Sequence, residues 1–222
     1  MKKNKRITNK IALLFFLVFI YQNLMAQSVE KYYVNIPDAL NPTLSKQNRL
    51  ELLEYHKAGQ GDSIDNRLGN KAYLEKLDSV HHLIVVKNTA NSTFEMKLLT
   101  LDDGNRVIGI IRTVCGPICQ SMVEFYDTAW NPVKLRFVMP KAIDWINNAV
   151  PYNQNVDRKW VDNVLENSFI SLSFDPEGGQ QIIANNNSLE FVTESDRKLI
   201  SSFLSDKKLK FKLIGRNWIL QP

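Results

Sequence analysis

From Ser79 to Val138 apolar and polar positions alternate, or close into short apolar runs, between turn-rich links. Strict alternation marks a strand with one side on a core, and an unbroken apolar run marks a strand covered on both sides. The pattern predicts strands at residues 80–87, 93–100, 106–114, 121–127 and 133–138. In the second, Phe94, Met96 and Leu98 alternate with Glu95 and Lys97, which puts the charged pair in water. Val133, Leu135 and Phe137 alternate in the same way with Lys134 and Arg136. In the third, Val107, Ile108, Ile110 and Ile111 leave little polar surface on either side, so it belongs near the middle of the sheet. The links at 88–91, at Asp102-Asp103-Gly104-Asn105 and at 128–132 are short and rich in turn formers. Links of this length join antiparallel neighbours, and the prediction is a meander.

On either side of the meander the pattern is mixed. Residues 29–33 read as a short extended segment. Ser45 reads as the N-cap of a helix through Ala58 that Gly59 and Gly61 end. Residues 62–78 are ambiguous and admit two short strands, at 64–68 and 72–77, around Gly69-Asn70. Beyond the meander, helices are expected at 141–148 and 156–166, and strands at 169–174, 181–184 and 188–192. Thr193 with Asp196 starts a helix to Leu204. A closing hairpin at 208–214 and 218–220 has Leu209, Phe211 and Leu213 alternating with lysines. The fold class is therefore α+β: an antiparallel meander of about five strands, an N-terminal helical segment and a C-terminal β-α-β portion. The expected divisions are 1–26, 27–78, 79–138 and 139–222.

The first of these divisions changes the charge picture. Lys2, Lys3, Lys5, Arg6 and Lys10 precede an unbroken apolar run from Ile11 to Ile20, and Ala26 supplies a small residue before Gln27. A basic start, a short apolar run and a small-residue exit describe a cleavable secretory signal. The run is about half the roughly 20 residues that span a bilayer, so no transmembrane segment is expected after cleavage. Taking the segment's five basic side chains from the total of 28 leaves 23, equal to the 23 acids. The basic balance belongs to the leader, and nothing in the remainder argues for nucleic acid. The expected location is exported: periplasmic, outer-membrane associated or secreted.

Candidate chemistry is sparse. Cys115-Gly116-Pro117-Ile118-Cys119 looks like the Cys-Gly-Pro-Cys of thioredoxins with one residue inserted. The insertion changes the geometry, and the context is a strand running into a turn, not into a helix that would lower a thiol pKa. The two cysteines are read as a hairpin turn, either joined as a local disulfide or free. His81 and His82 fall next to each other on a predicted strand and so point apart, while His56 has no second ligand at helical spacing; no metal site is expected. No Gly-x-Ser-x-Gly elbow is present, and Asp102 and Asp103 lack the further oxygens that calcium needs. Trp130, Trp145, Trp160 and Trp218 are read as packing residues. No cofactor is implied.

Three stretches resemble a family of secreted Bacteroidales proteins catalogued as domain of unknown function 3256. They are Ile36-Pro37-Asp38-Ala39-Leu40 with residues 44–52, residues 92–99, and Thr113-Val114-Cys115-Gly116-Pro117 continuing to Ser121, residues 125–127 and Trp130. The resemblance implies export and a shared fold, and it brings no activity, cofactor or catalytic residue. It does direct attention to Asp38, Asn48, Arg49, Gly116 and Pro117, as a ligand or partner groove framed by the helix that bears Asn48 and Arg49. The alternative is structural: Arg49 pairs with Asp38 or Glu51, and Gly116-Pro117 shapes a turn.

Two functions follow as expectations. The first is an exported, non-enzymatic binding or cell-envelope accessory protein, whose partner is an envelope protein, a peptide added at a strand edge or a glycan. The second is an exported hydrolase with convergent acids drawn from Asp38, Asp102, Asp103 and Glu124. An enzyme requires those acids on facing walls of one pocket.

Overall fold

The computed structural model describes residues 28–147, 157–166, 169–204 and 208–221. The segment read as a leader lies outside them, as do residue 148 at the end of one expected helix and residue 156 at the start of the next. The chain begins with α1 (Val29–Asn35), where an extended segment was expected. The cause is local: Ser28 caps the helix by accepting from the Lys31 N–H at 3.3 Å, and Val29 and Tyr33, four residues apart, bury the same side. A 3-10 turn at Asp38–Leu40 leads to α2 (Lys46–Lys57), capped as expected by Ser45 and ended by Gly59 at φ +66°.

Six antiparallel strands follow in sequence order: β1 (Ser63–Asp65), β2 (Lys71–Asp78), β3 (Leu83–Thr89), β4 (Ser92–Thr100), β5 (Arg106–Cys115) and β6 (Cys119–Asp127). β1 and β2 occupy the ambiguous stretch after α2. His81 and His82, expected on a strand, lie instead in the β2–β3 turn. There the Asp78 carboxylate accepts from the His81 backbone N–H at 2.8 Å, and His82 adopts φ +53°. The second half contributes α3 (Ala142–Trp145), α4 (Arg158–Glu166), β7 (Ile170–Phe174), β8 (Gln181–Asn186), α5 (Glu194–Ser201), β9 (Lys208–Ile214) and β10 (Asn217–Leu220). The last four strands form a second antiparallel sheet in the order β10-β9-β8-β7. Residues 188–192, expected as a strand, make a 3-10 turn at Ser188–Phe191, and the helix expected at 141–148 is the single turn of α3.

Both faces of the meander are covered. On one, Val29, Tyr33, Leu52 and Leu53 from α1 and α2 bury Ile84, Val86, Phe94, Met96, Ile108 and Ile110. On the other, Leu99, Val107, Ile111 and Phe125 meet Phe174, Phe211 and Trp218 of the second sheet. The layers are helices, six-stranded sheet, and four-stranded sheet with α3–α5. β5 is covered on both faces as its sequence implies, but it is fifth of the six strands, beside the edge strand β6, and not in the middle of the sheet; the layers on either side bury it there.

This layering corrects the placement of Glu95 and Lys97 in water. They are 8% and 2% exposed, because the second sheet lies on that face. β7 is an edge strand, and its outward backbone groups bond side chains that stand on the meander. Leu172 N–H donates to Ser121 Oγ at 2.9 Å, Phe174 N–H donates to Glu95 Oε2 at 2.8 Å, and Lys97 Nζ donates to the Asp175 carbonyl at 3.1 Å. An edge closed in this way offers nothing to an added strand.

The stretch at 133–138 also departs from its expected role. Val133 N–H bonds the Phe125 carbonyl on β6, after which the chain leaves the meander. Arg136 then bonds Arg216 and Trp218 through its backbone and pairs with Asn217 in a parallel bridge. Pro132 opens the segment without a donor, and the Leu135 and Phe137 N–H groups turn back to Val133 and Leu135 at 3.2 and 3.1 Å. The alternation was real, since Leu135 is buried and Phe137 packs against Phe211 and Trp218. Its product is a strap that ties one sheet to the other.

Candidate functional site

Arg49 is the most enclosed of the residues singled out, at 1% exposure. Its guanidinium donates to the backbone carbonyls of Val34, Ile36 and Leu44 and to Asp38 Oδ1 at 3.2 Å. It stitches the 34–44 connection to α2. Asp38 also accepts from Arg67 at 2.6 Å, and these bonds, from Arg67 first and then Arg49, hold its carboxyl below the usual range. Asn48 completes the capping box with Ser45 and reaches the Asp65 carbonyl through Nδ2 at 3.3 Å. Gly116 and Pro117 form the β5–β6 turn, where Cys115 and Cys119 are joined as a disulfide and Asn187 Nδ2 donates to the Cys119 carbonyl at 2.8 Å.

The candidate acids of a hydrolase are engaged separately. Asp102 Oδ2 accepts from Gly215 N–H at 2.9 Å, tying the β4–β5 turn to the β9–β10 turn. Asp103 accepts from Asn105 N–H at 2.9 Å, which lowers its pKa. Glu124 pairs with Arg112 on the neighbouring strand, and Arg112 also donates to the Leu40 carbonyl at 3.2 Å. Asp103 follows the end of β4, whereas Glu124 lies opposite Ile110, well inside β5. Among the described residues no three His, Cys, Asp or Glu side chains gather as a metal site.

A groove of about 680 Å³ opens where the strap crosses between the sheets. Its walls come from Val123–Tyr126 on β6, from 132–137, and from Arg216 and Asn217 at the β9–β10 turn. Lys134, Arg136 and Arg216 line it and are solvent-exposed. None of the three has an ion-pair partner among the described residues, although Arg216 lies near enough to Asp103 to help lower its pKa. The floor is apolar, with Phe125 and Leu135 both buried. Guanidinium and ammonium groups over an apolar floor suit a ligand that carries anionic groups.

Sequence reading missed this site for a specific reason. Lys134 and Arg136 were visible as the polar half of an alternating run, and Arg216 as a turn residue. Only the Arg136–Asn217 bridge, which joins residues 81 positions apart, brings them together. The tryptophans meet their expectation: Trp145 and Trp218 are buried, and Trp130 contacts the rings of Tyr32 and Tyr126.

A family model described as a protein of unknown function, DUF3256, matches residues 21–217. Among solved structures, the chain is similar to a domain of an uncharacterized protein from Porphyromonas gingivalis W83, with a TM-score of 0.72 and 20% identity. That match covers 88% of this chain and all of the other, and at such identity it shows a shared fold. No curated protein matches. Among the described residues no helix is long and apolar enough to cross a membrane.

Proposed function

We propose that this chain, which belongs to the DUF3256 family of proteins of unknown function, is an exported cell-envelope binding protein that holds its partner in the groove beneath the strap. The carrying observation is the set of three exposed cations, Lys134, Arg136 and Arg216, that converge on one concavity without ion-pair partners among the described residues. Export is supported by the basic, then apolar, then small-residue pattern of the first 26 residues. The partner is an envelope protein, a peptide or a glycan. A hydrolase finds less support, because Asp38, Asp102, Asp103 and Glu124 each serve a separate ion pair or turn.

The test is capture from the native envelope with the tagged chain and with an R136A/R216A variant. The expected result is a salt-sensitive partner, abundant with the parent and absent with the variant, both chains unfolding at the same temperature. Equal capture by the two chains rejects the groove. Turnover of an envelope polymer by the purified chain rejects the non-enzymatic reading.

A further inference from the structure

We infer that the groove continues onto the outer face of the second sheet, and that the two together form a track for a linear acidic polysaccharide. This inference rests on the binding reading above and names the class of ligand. Along β9, Lys208, Lys210 and Lys212 alternate with buried Leu209, Phe211 and Leu213, so the lysines stand in one row on the side away from the core. In a strand such positions repeat at about 7 Å. Lys210 and Lys212 have no ion-pair partner among the described residues. Beyond them β9 turns at Gly215 and Arg216 into β10, and Arg136 lies beside Asn217 on the far side of β10. The row therefore leads into the groove's own cations.

The neighbouring side chains narrow the ligand. On β8, Gln181 lies opposite Lys212 and Asn185 opposite Lys208. Amides beside ammonium groups suit a sugar chain, with hydroxyls for the former and carboxylate or sulfate for the latter. The outward positions of β7 and β8 are Ser171, Ser173, Gln181, Ile183 and Asn185, and those of β10 are Asn217 and Ile219. No carboxylate stands among them to oppose an anion. No aromatic ring stands among them either, and single-stranded nucleic acid needs such rings for its bases to stack on. An anionic bilayer is a poorer fit because Arg136 and Arg216 line a concavity, which a chain can enter and a plane of headgroups cannot.

The experiment measures binding of the purified chain to labelled polygalacturonate and to chondroitin sulfate, with dextran as the neutral polymer. The parent is expected to bind at least one acidic polymer and not dextran. Binding should weaken as salt rises from ~0.1 to ~1 M, where screening shortens from about 10 to about 3 Å. K210E/K212E and R136A/R216A should each weaken binding about tenfold or more. These positions are exposed, so both variants should keep the parent's unfolding temperature. Loss in R136A/R216A alone overturns the track while leaving the groove standing. Failure of both acidic polymers overturns the inference, and envelope capture by the same parent then shows that the binding reading survives it. Equal binding of dextran overturns the acidic assignment. Binding to phosphatidylglycerol vesicles that K210E/K212E abolishes, without polymer binding, assigns the face to a membrane and overturns the inference too.

Discussion

Arg49 and Glu95 show how buried charge is tolerated in this molecule. The Arg49 guanidinium satisfies three backbone carbonyls and one carboxylate, and its planar fork has no equivalent in another side chain. R49M is expected to cost about 3–5 kcal/mol in denaturant unfolding, because the carbonyls of Val34, Ile36 and Leu44 lose their donor. R49K should recover little of it, since an ammonium on a narrower stem cannot reach all three. A variant within about 1 kcal/mol of the parent would show that the connection is held by something else. Glu95 poses the opposite case: burial first of all pushes its carboxyl from 4.5 up to about 7, opposed by the Phe174 N–H bond. Between those values the folded chain keeps a proton that the unfolded chain has released. The Glu95 contribution is therefore fully present below pH 4.5 and is lost as pH rises through about 7, by on the order of 3 kcal/mol. His82, whose pKa burial lowers, acts in the opposite sense, so the parent's own profile mixes the two. Comparison with E95Q isolates Glu95, because glutamine keeps an acceptor for Phe174 N–H without a charge to desolvate. E95Q should gain on the parent as pH rises from 4.5 to 7; a constant difference across that window would refute the assignment.

At the scale of elements, the joint between the sheets is made by β7 and by the strap. β7 lies on the meander at Gly109, where an added Cβ would come within 2.7 Å of Phe174 Cζ. G109A should therefore cost about 1–3 kcal/mol through overpacking, read as a drop in unfolding temperature, whereas an unchanged temperature would mean that the sheets separate freely there. The same joint shows why part of the fold was legible in the sequence and part was not. Alternation and turn chemistry are local, and they placed β3 to β6, α2, α5 and the closing hairpin to within a few residues. Whether the polar side of an alternating strand meets water is settled by what folds over it. Glu95 and Lys97 look like surface residues until β7, some 75 positions later in the chain, arrives to use them. The strap misled for a related reason: its alternation is that of a strand, but its backbone bonds are divided between two sheets.

Across the whole molecule, the residues that build the layers and those of the proposed site occupy different regions. The stretches that carry the family resemblance build the layers: Arg49 holds the 34–44 connection to α2, Asp38 and Asn48 tie that layer to Arg67 and Asp65 at the β1 end of the meander, and the Cys115–Cys119 disulfide closes one of its hairpins. The proposed site lies on the other side of the meander, where the second sheet and the strap bring together cations scattered from Lys134 to Arg216. That distribution explains why residue types in sequence carried the architecture but not the site. No local motif announces a groove whose walls come from β6, a strap and a turn some 80 residues further on. The most direct test of the account is the hydrogen-exchange footprint of the purified chain with and without bound ligand, either polygalacturonate or the partner captured from the envelope. The account predicts that slowed exchange is confined to 132–137 and 208–219. Protection centred instead on Asp38, Asn48 and the Gly116-Pro117 turn, with the strap unchanged, would contradict it.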